Sequence, residues 1–394
     1  MKVLYVTNSK DMGGDSVALI NILKYSIKNN ITPLVTCPAV GTFSDNLKKM
    51  NIPFVVINNT LETYPHIYSW KSYIKFLYSL LRLILKKHFA YKKLCSCIEK
   101  FQPDIIHTNV GPIHIGYLAA KKYDIPHVWH IREYQKEDFD MHPFPSMNIY
   151  LKRIHDKKNH CICITKNIFK HFKLDAIKDK VIYDGVINAK EVKPLNKNKA
   201  SYILFVGRLE EAKGTKELIS AYKKYVQKGG KYNLYIAGKG NKTYKKECLN
   251  LLTEAIKNRV KFWGECEHNK IFELMYNASV LVVPSRNEGF GFITAEAMFN
   301  GTPVIGRNTG GTKEQFDNGL KLNGKEIAYR YTSNDELISH LLKMDVEIDY
   351  NKLIIAQETV CKLYNIETQA LKIHSFYEEI LYQENNNSEN LLSS

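Results

Sequence analysis

Short runs of branched and aromatic residues alternate with stretches of three- and four-residue apolar spacing along most of the chain. KVLYVT reads as a buried strand; a glycine-containing turn follows, then a helix from about Asp15 to Asn29. PLVTC, PFVVI, DIIHTN, HVWHI and HCICIT come next as strand-like runs, with helical stretches between most of them. Apolar strands alternating with helices predict an α/β fold with a parallel, doubly wound sheet. VIYDGV (181–186) is another short strand, and the polar, lysine-rich, proline-containing NAKEVKPLNKNKA (188–200) reads as a linker. A second series then begins with SYILFVG, NLYIAG, VKFWG, SVLVVP and PVIGR. Two Rossmann-like domains are therefore expected, 1–187 and 201–365. A helix over 366–384 should pack back toward the first domain, and 385–394 should form a polar tail.

Length agrees with this division, because 394 residues exceed one ordinary domain and an apolar content of 44% is enough for two cores. The formal charge of +16 is unevenly spread. Residues 1–190 hold 28 Lys and Arg against 15 Asp and Glu, and the remainder 28 against 25. A basic front half suits an anionic partner or is a solvated lysine-rich surface. Residues 64–94 sharpen the choice. They contain no acidic residue, carry seven Lys and Arg among aromatics, and repeat apolar positions at helical spacing through Trp70, Tyr73, Ile74, Leu77, Leu81, Ile84 and Leu85. Such a helix fits an anionic membrane surface, or else the chain's own sheet.

The eight cysteines show no zinc-like spacing and no small disulfide framework, so they are expected to be reduced and structural. There is no signal-peptide core at the start and no run of about 18 uninterrupted apolar residues. The expected location is the cytoplasm, peripheral on the cytoplasmic membrane face. No nucleic-acid motif accompanies the charge, so no nucleic-acid partner is expected.

The densest chemistry is in PSRNEGFGFITAEAMFNGTPVIGRNTGGTKEQF (284–316). Glu288 falls at the C-terminal edge of a buried strand, where parallel sheets bind ligands. Gly289 and Gly291 leave the backbone bare before a helix begins, and the free amides there suit a diphosphate. Glu296 follows eight residues later, about 12 Å along a helix, so two carboxylates can reach opposite ends of one ligand. Carboxylates accept well from sugar and ribose hydroxyls.

E-x7-E in the form EGFGFITAE, followed by EAM, G-x-PVI and GG, resembles the retaining glycosyltransferase family 4 of the glycosyl transferases group 1. VGRLEEAKG (206–214), LYIAGKG (234–240), VKFWG (260–264) and IYDGV (182–186) agree in order and spacing. The resemblance spans essentially the whole chain, strongly over 200–316 and more loosely before. It implies a GT-B fold, with two Rossmann-like domains facing a cleft, and retaining, metal-independent transfer of a hexose. The donor is a nucleotide-diphosphate-sugar, a substrate rather than a cofactor; no cofactor and no metal are expected. The acceptor implied is a saccharide, lipid-linked, in capsule or other cell-surface polysaccharide synthesis.

By the same resemblance, Glu288 would bind hydroxyls of the transferred sugar and Glu296 the ribose. Arg208 and Lys213 would neutralise the diphosphate, where fixed cations lower the barrier to sugar–phosphate cleavage. Gly289, Phe290, Gly291, Phe292 and Ile293 would line the donor site. Gly13 and Gly14, after the first strand, would form the loop facing donor phosphates and acceptor. His107, Asn109, His130, Arg132 and Glu133, at strand ends of the first half, are candidates for the acceptor side. The family often has histidine where Asn109 stands, and an amide does not titrate, so no base is expected there.

Rival readings are weaker. Asp138 and Asp140 form a D-x-D, the metal signature of a different glycosyltransferase fold, but not at a nucleotide-binding strand end. Gly238-Lys239-Gly240 begins a dinucleotide fingerprint that position 243, a Thr, does not complete. A nucleotide-sugar epimerase or other GT-B enzyme, or a non-catalytic GT-B subunit stabilising a partner, remains the alternative.

Overall fold

A computed structural model of the protein describes residues 1–65, 69–134, 141–286 and 288–392. The chain forms two compact units, one of residues 1–185 with 366–394 and one of 186–365.

The first unit contains strands β1 (Lys2–Val6), β2 (Thr32–Cys37), β3 (Phe54–Val56), β4 (Thr63–Pro65), β5 (Ile105–Thr108), β6 (His127–Ile131), β7 (Met141–Pro143), β8 (Asn159–Cys163) and β9 (Lys180–Val181). Seven form a parallel sheet in the order β3-β2-β1-β5-β6-β8-β9, and β4 pairs antiparallel with β7. The alternation of the strands assigns the two faces. Val3 and Tyr5 of β1 join Val35, Val128 and Ile162 in a core with the helices Gly14–Ser26 and Ile366–Leu392. Leu4 and Val6 point the other way, into a core with Ile106 and the helices Trp70–Phe101 and Ile115–Tyr123.

The C-terminal helix is therefore part of the first unit's core. Its buried Ile373, Phe376, Tyr377 and Ile380 contribute on the order of 6–12 kcal/mol of burial before the entropy of ordering the helix is subtracted. The chain returns at Gly185, where a Cβ would lie 2.4 Å from the Ile366 Cα. The helix continues to Leu392, beyond residue 384 where a polar tail was expected. The Asn- and Glu-rich extension contains neither Gly nor Pro to stop it.

The second unit contains β10 (Ala200–Val206), β11 (Asn233–Ala237), β12 (Val260–Gly264), β13 (Ala278–Val283), β14 (Val304–Arg307) and β15 (Tyr329–Tyr331), in a parallel sheet ordered β12-β11-β10-β13-β14-β15. Ile203 and Phe205 of β10 pack with Leu218, Ile219, Tyr222 and Tyr225 of the helix Thr215–Gln227. Residues 188–200, read from sequence as a linker, are held against this unit. Asn196 and Lys199 donate to the Tyr276 carbonyl at 3.3 and 2.7 Å, and Gln357 donates to the Lys193 carbonyl at 3.0 Å. Polar composition here marks a segment fastened by hydrogen bonds rather than by apolar burial.

Candidate donor site and strand-end network

Strand order reverses in the second unit between β10 and β13, and at such a point the loops leaving the two strands part and leave a crevice. The loop after β10 carries Arg208 and Lys213; the loop after β13 carries Glu288. Lys213 Nζ and Glu288 Oε1 are 2.7 Å apart, with side chains only 23% and 20% exposed. Arg208 stands out at 65% exposure, 3.2 Å from Glu210.

Close backbone contacts hold these loops. The Gly207 amide donates to the Ala237 carbonyl at 3.0 Å, the Leu209 amide to Lys239 at 2.8 Å, and the Arg286 amide to Ala212 at 3.2 Å. Gly214 has φ +70°, and a Cβ there would sit 2.4 Å from the Pro284 carbonyl oxygen. At Gly311 a Cβ would meet the Phe290 oxygen at 2.2 Å, while its amide donates to the Glu288 carbonyl at 2.7 Å. Glycine at both positions lets backbone lie directly on backbone.

Gly289 and Gly291 flank the buried Phe290, and Gly291 is the N-cap of the helix Phe292–Phe299. Phe292 and Ile293 open that helix, where the first amides have no intrahelical acceptor. Gln315 Nε2 fixes the turn by donating to the Phe290 and Gly291 carbonyls at 2.8 and 2.9 Å, and the Thr294 and Thr312 hydroxyls meet at 3.1 Å. Neither Gln315 nor the Thr294–Thr312 pair was a site candidate from sequence; glutamine and threonine carry no charge or motif of their own to attract notice. Glu296 is buried on the same helix, and burial raises its carboxyl to about 7.

In the first unit the candidates divide. Gly13 and Gly14 lie exposed at the start of their helix, and a Cβ on Gly14 would meet nothing within 4 Å. Gly13 is capped locally, its amide donating to Ser16 Oγ at 2.6 Å. His107 and His130, by contrast, are fully buried. His107 Nδ1 is 2.5 Å from the Tyr377 hydroxyl, and the two imidazoles pack edge-on with centroids 5.3 Å apart. Burial first, then the Arg132 guanidinium, holds both well below the ordinary histidine range, so both are neutral.

Asn109, Arg132 and Glu133 tie strand ends together. Arg132 pairs with Asp184 at 2.5 Å and donates to the backbone and side-chain oxygens of Asn109, both at 3.2 Å. Asn109 donates to the Asp15 carbonyl at 3.1 Å, Glu133 accepts from the Gly111 amide at 2.9 Å, and Gln369 donates to Asp184 at 2.9 Å. His107, Asn109, His130, Arg132 and Glu133 are thus all buried and held in a framework of side-chain contacts at the strand ends. Sequence reading missed Asp184 and Gln369 as its members. The IYDGV motif carried Asp184, but its partner lies more than fifty positions earlier. Asp138 and Asp140 lie outside the described residues.

Residues 187–344 match the family model described as glycosyl transferases group 1. An uncharacterized glycosyltransferase of Methanocaldococcus jannaschii is 30% identical over 229 residues, 57% of this chain and 62% of its own length. An uncharacterized protein of the Klebsiella pneumoniae cps region is 28% identical over 186 residues, 44% of this chain and 49% of its own. The alignment with each of these curated relatives thus spans less than two thirds of the relative. Among solved structures, Anabaena HepE in complex with UDP superposes with a TM-score of 0.75 at 21% identity, covering 96% of this chain and 100% of that one. The fold is that of the GT-B glycosyltransferases, with two Rossmann-like domains.

Proposed function

We propose that this protein is a retaining, metal-independent glycosyltransferase of family 4 that moves a hexose from a nucleotide-diphosphate-sugar to a saccharide acceptor. The observation that carries the reading is the Lys213–Glu288 pair at the strand-order reversal, beside Arg208 and the bare Gly289–Gly291 turn. A diphosphate arriving there meets two cations and the unpaired amides of the Phe292–Phe299 helix. Lys213 exchanges its carboxylate partner for phosphate oxygen, which frees Glu288 to accept from sugar hydroxyls. As the sugar–phosphate bond breaks, charge grows on the departing phosphate, and Arg208 and Lys213 stabilise it without reorganisation. Glu296 accepts from the ribose. The acceptor hydroxyl attacks from the face the phosphate leaves, and that phosphate takes its proton.

The donor class is supported by the Anabaena neighbour, whose structures include complexes with UDP and with UDP-glucose. A place in cell-surface polysaccharide synthesis is supported by the Klebsiella relative from a cps region, and the acceptor we assign to it is lipid-linked. In the first unit, the exposed Gly13–Gly14 turn lies after β1, at that unit's own strand-order reversal, and is the part we assign to phosphate and acceptor contact.

The test is a panel of nucleotide sugars scored by donor hydrolysis and transfer, with chelator present. Activity on a UDP-hexose that survives EDTA, with the donor's anomeric configuration kept by NMR, is expected. Arg208→Ala and Lys213→Ala should each cut it by about a hundredfold or more, the scale of losing one charge-stabilising contact. Inversion of configuration, or near-parental turnover in a folded Arg208→Ala protein, refutes the assignment.

A further inference from the structure

The helix Trp70–Phe101 changes character along its length. From Ala90 onward its apolar residues Leu94, Cys95 and Ile98 are buried. Before that point the apolar side is left in solvent, with Trp70 74%, Tyr78 73% and Phe89 67% exposed, and Ile74, Leu81 and Leu85 about half exposed. At 100° per residue these six side chains fall within an arc of about 100°, over about 30 Å of helix. A single continuous apolar stripe of this kind is not scattered surface hydrophobicity.

A groove of about 520 Å³ runs beside the stripe, lined by Val56, Tyr78, Leu81, Leu85 and Phe89, with Arg82, Lys86 and Lys93 also on its wall. These three cations occupy the next 60° or so of the helix surface. None of them has an ion-pair partner among the described residues, and residues 64–94 contain no acid. Lys87 differs: it is paired with the buried Glu62 and is not part of the cationic edge. Among the described residues no helix is long and apolar enough to cross a membrane.

We propose that this face docks in the plane of an anionic lipid bilayer. Trp70, Tyr78 and Phe89 enter the interfacial layer, aliphatic lipid chain fills the groove, and Arg82, Lys86 and Lys93 meet lipid phosphates. The cationic edge decides against a second copy of the same chain, which would bring like charges together. The proposal does not depend on the glycosyltransferase reading, because it rests on a face of the first unit alone.

Flotation of the full chain with vesicles tests it. The parent protein should float with phosphatidylcholine vesicles containing phosphatidylglycerol and stay behind with phosphatidylcholine alone. Raising salt to 0.5 M should release it, since screening shortens the reach of the charges. Arg82→Gln/Lys86→Gln/Lys93→Gln should weaken partitioning on the order of a hundredfold. Leu81→Ser/Leu85→Ser/Phe89→Ser should abolish flotation. Both sets change exposed or half-exposed side chains, so an unchanged thermal melt and unchanged donor hydrolysis serve as controls. Parent protein that does not float, or cation-free protein that floats as well as the parent, overturns the proposal. So does a dimer in sedimentation that the apolar substitutions dissolve, which would make this face a self-association surface.

Discussion

Glu296→Gln keeps the shape of a buried carboxyl and removes its ability to ionise. Burial raises this carboxyl from its ordinary 4.5 to about 7, so the folded protein holds a proton that the unfolded chain has released. Because the folded state binds more protons between those values, stability falls as pH rises from about 4.5 to about 7 and is level above. The wild-type cost works out to under about 1 kcal/mol at pH 5 and about 3 kcal/mol at pH 8. Glutamine does not titrate, so the variant should gain on the wild type by roughly 2.5 kcal/mol between pH 5 and pH 8, whatever its fixed difference in packing. The measurement is urea unfolding of the ligand-free protein at both pH values, read by hydrogen exchange on peptides from β10 and β13. These report the second unit itself, which a whole-chain melt would blend with the first. Equal differences at the two pH values, or a relative loss at pH 8, would refute the account of Glu296 as an acid kept neutral by burial. The same variant should bind the nucleotide more weakly at pH 8, where the wild-type group is ionised, because an amide is a poorer acceptor for ribose hydroxyls than a carboxylate.

Two further substitutions probe the frame around the sites. Gly311→Ala forces a Cβ to within 2.2 Å of the Phe290 oxygen, so the loop bearing Glu288 must move. A loss of about 1–3 kcal/mol in second-unit stability is expected, with transfer activity falling further than stability explains; an alanine variant with parental activity counts against the loop packing. Asp184→Ala strands the buried Arg132 guanidinium and should cost the first unit about 3–5 kcal/mol, read by hydrogen exchange on peptides from β6 and β8 during urea unfolding, most of it recovered when Arg132 is replaced by Met as well. A single variant within about 1 kcal/mol of the parent would show that the strand-end network does not hold the unit together.

Much of the architecture was legible because strand and helix periods are local. DIIHTN, HVWHI and SVLVVP each appear as buried parallel strands, and the polar break before Ala200 coincides with the start of the second sheet. The candidate donor-site residues stood out for a related reason: glycines and charges at fixed offsets stand on single loops. Reading the loops one at a time could not give the Lys213–Glu288 pairing, with 75 positions between the partners, or the use of Gly311 as a seat for the Phe290 carbonyl.

The histidines show the limit most clearly. By sequence His107 and His130 occupy the strand ends where ligands bind; the C-terminal helix, some 270 positions away from His107, covers that imidazole with Tyr377, and burial holds both histidines neutral. The helix over 70–101 shows the complementary case. Its sequence displayed one basic, aromatic, amphipathic pattern, and only packing against the sheet divided it into a buried half after Ala90 and an exposed half before it. Periodicity along the chain states which side chains share a face. Which faces are covered depends on elements distant in sequence, and in this protein that decided which charges are paired, which imidazoles are shut away and which apolar stripe meets solvent.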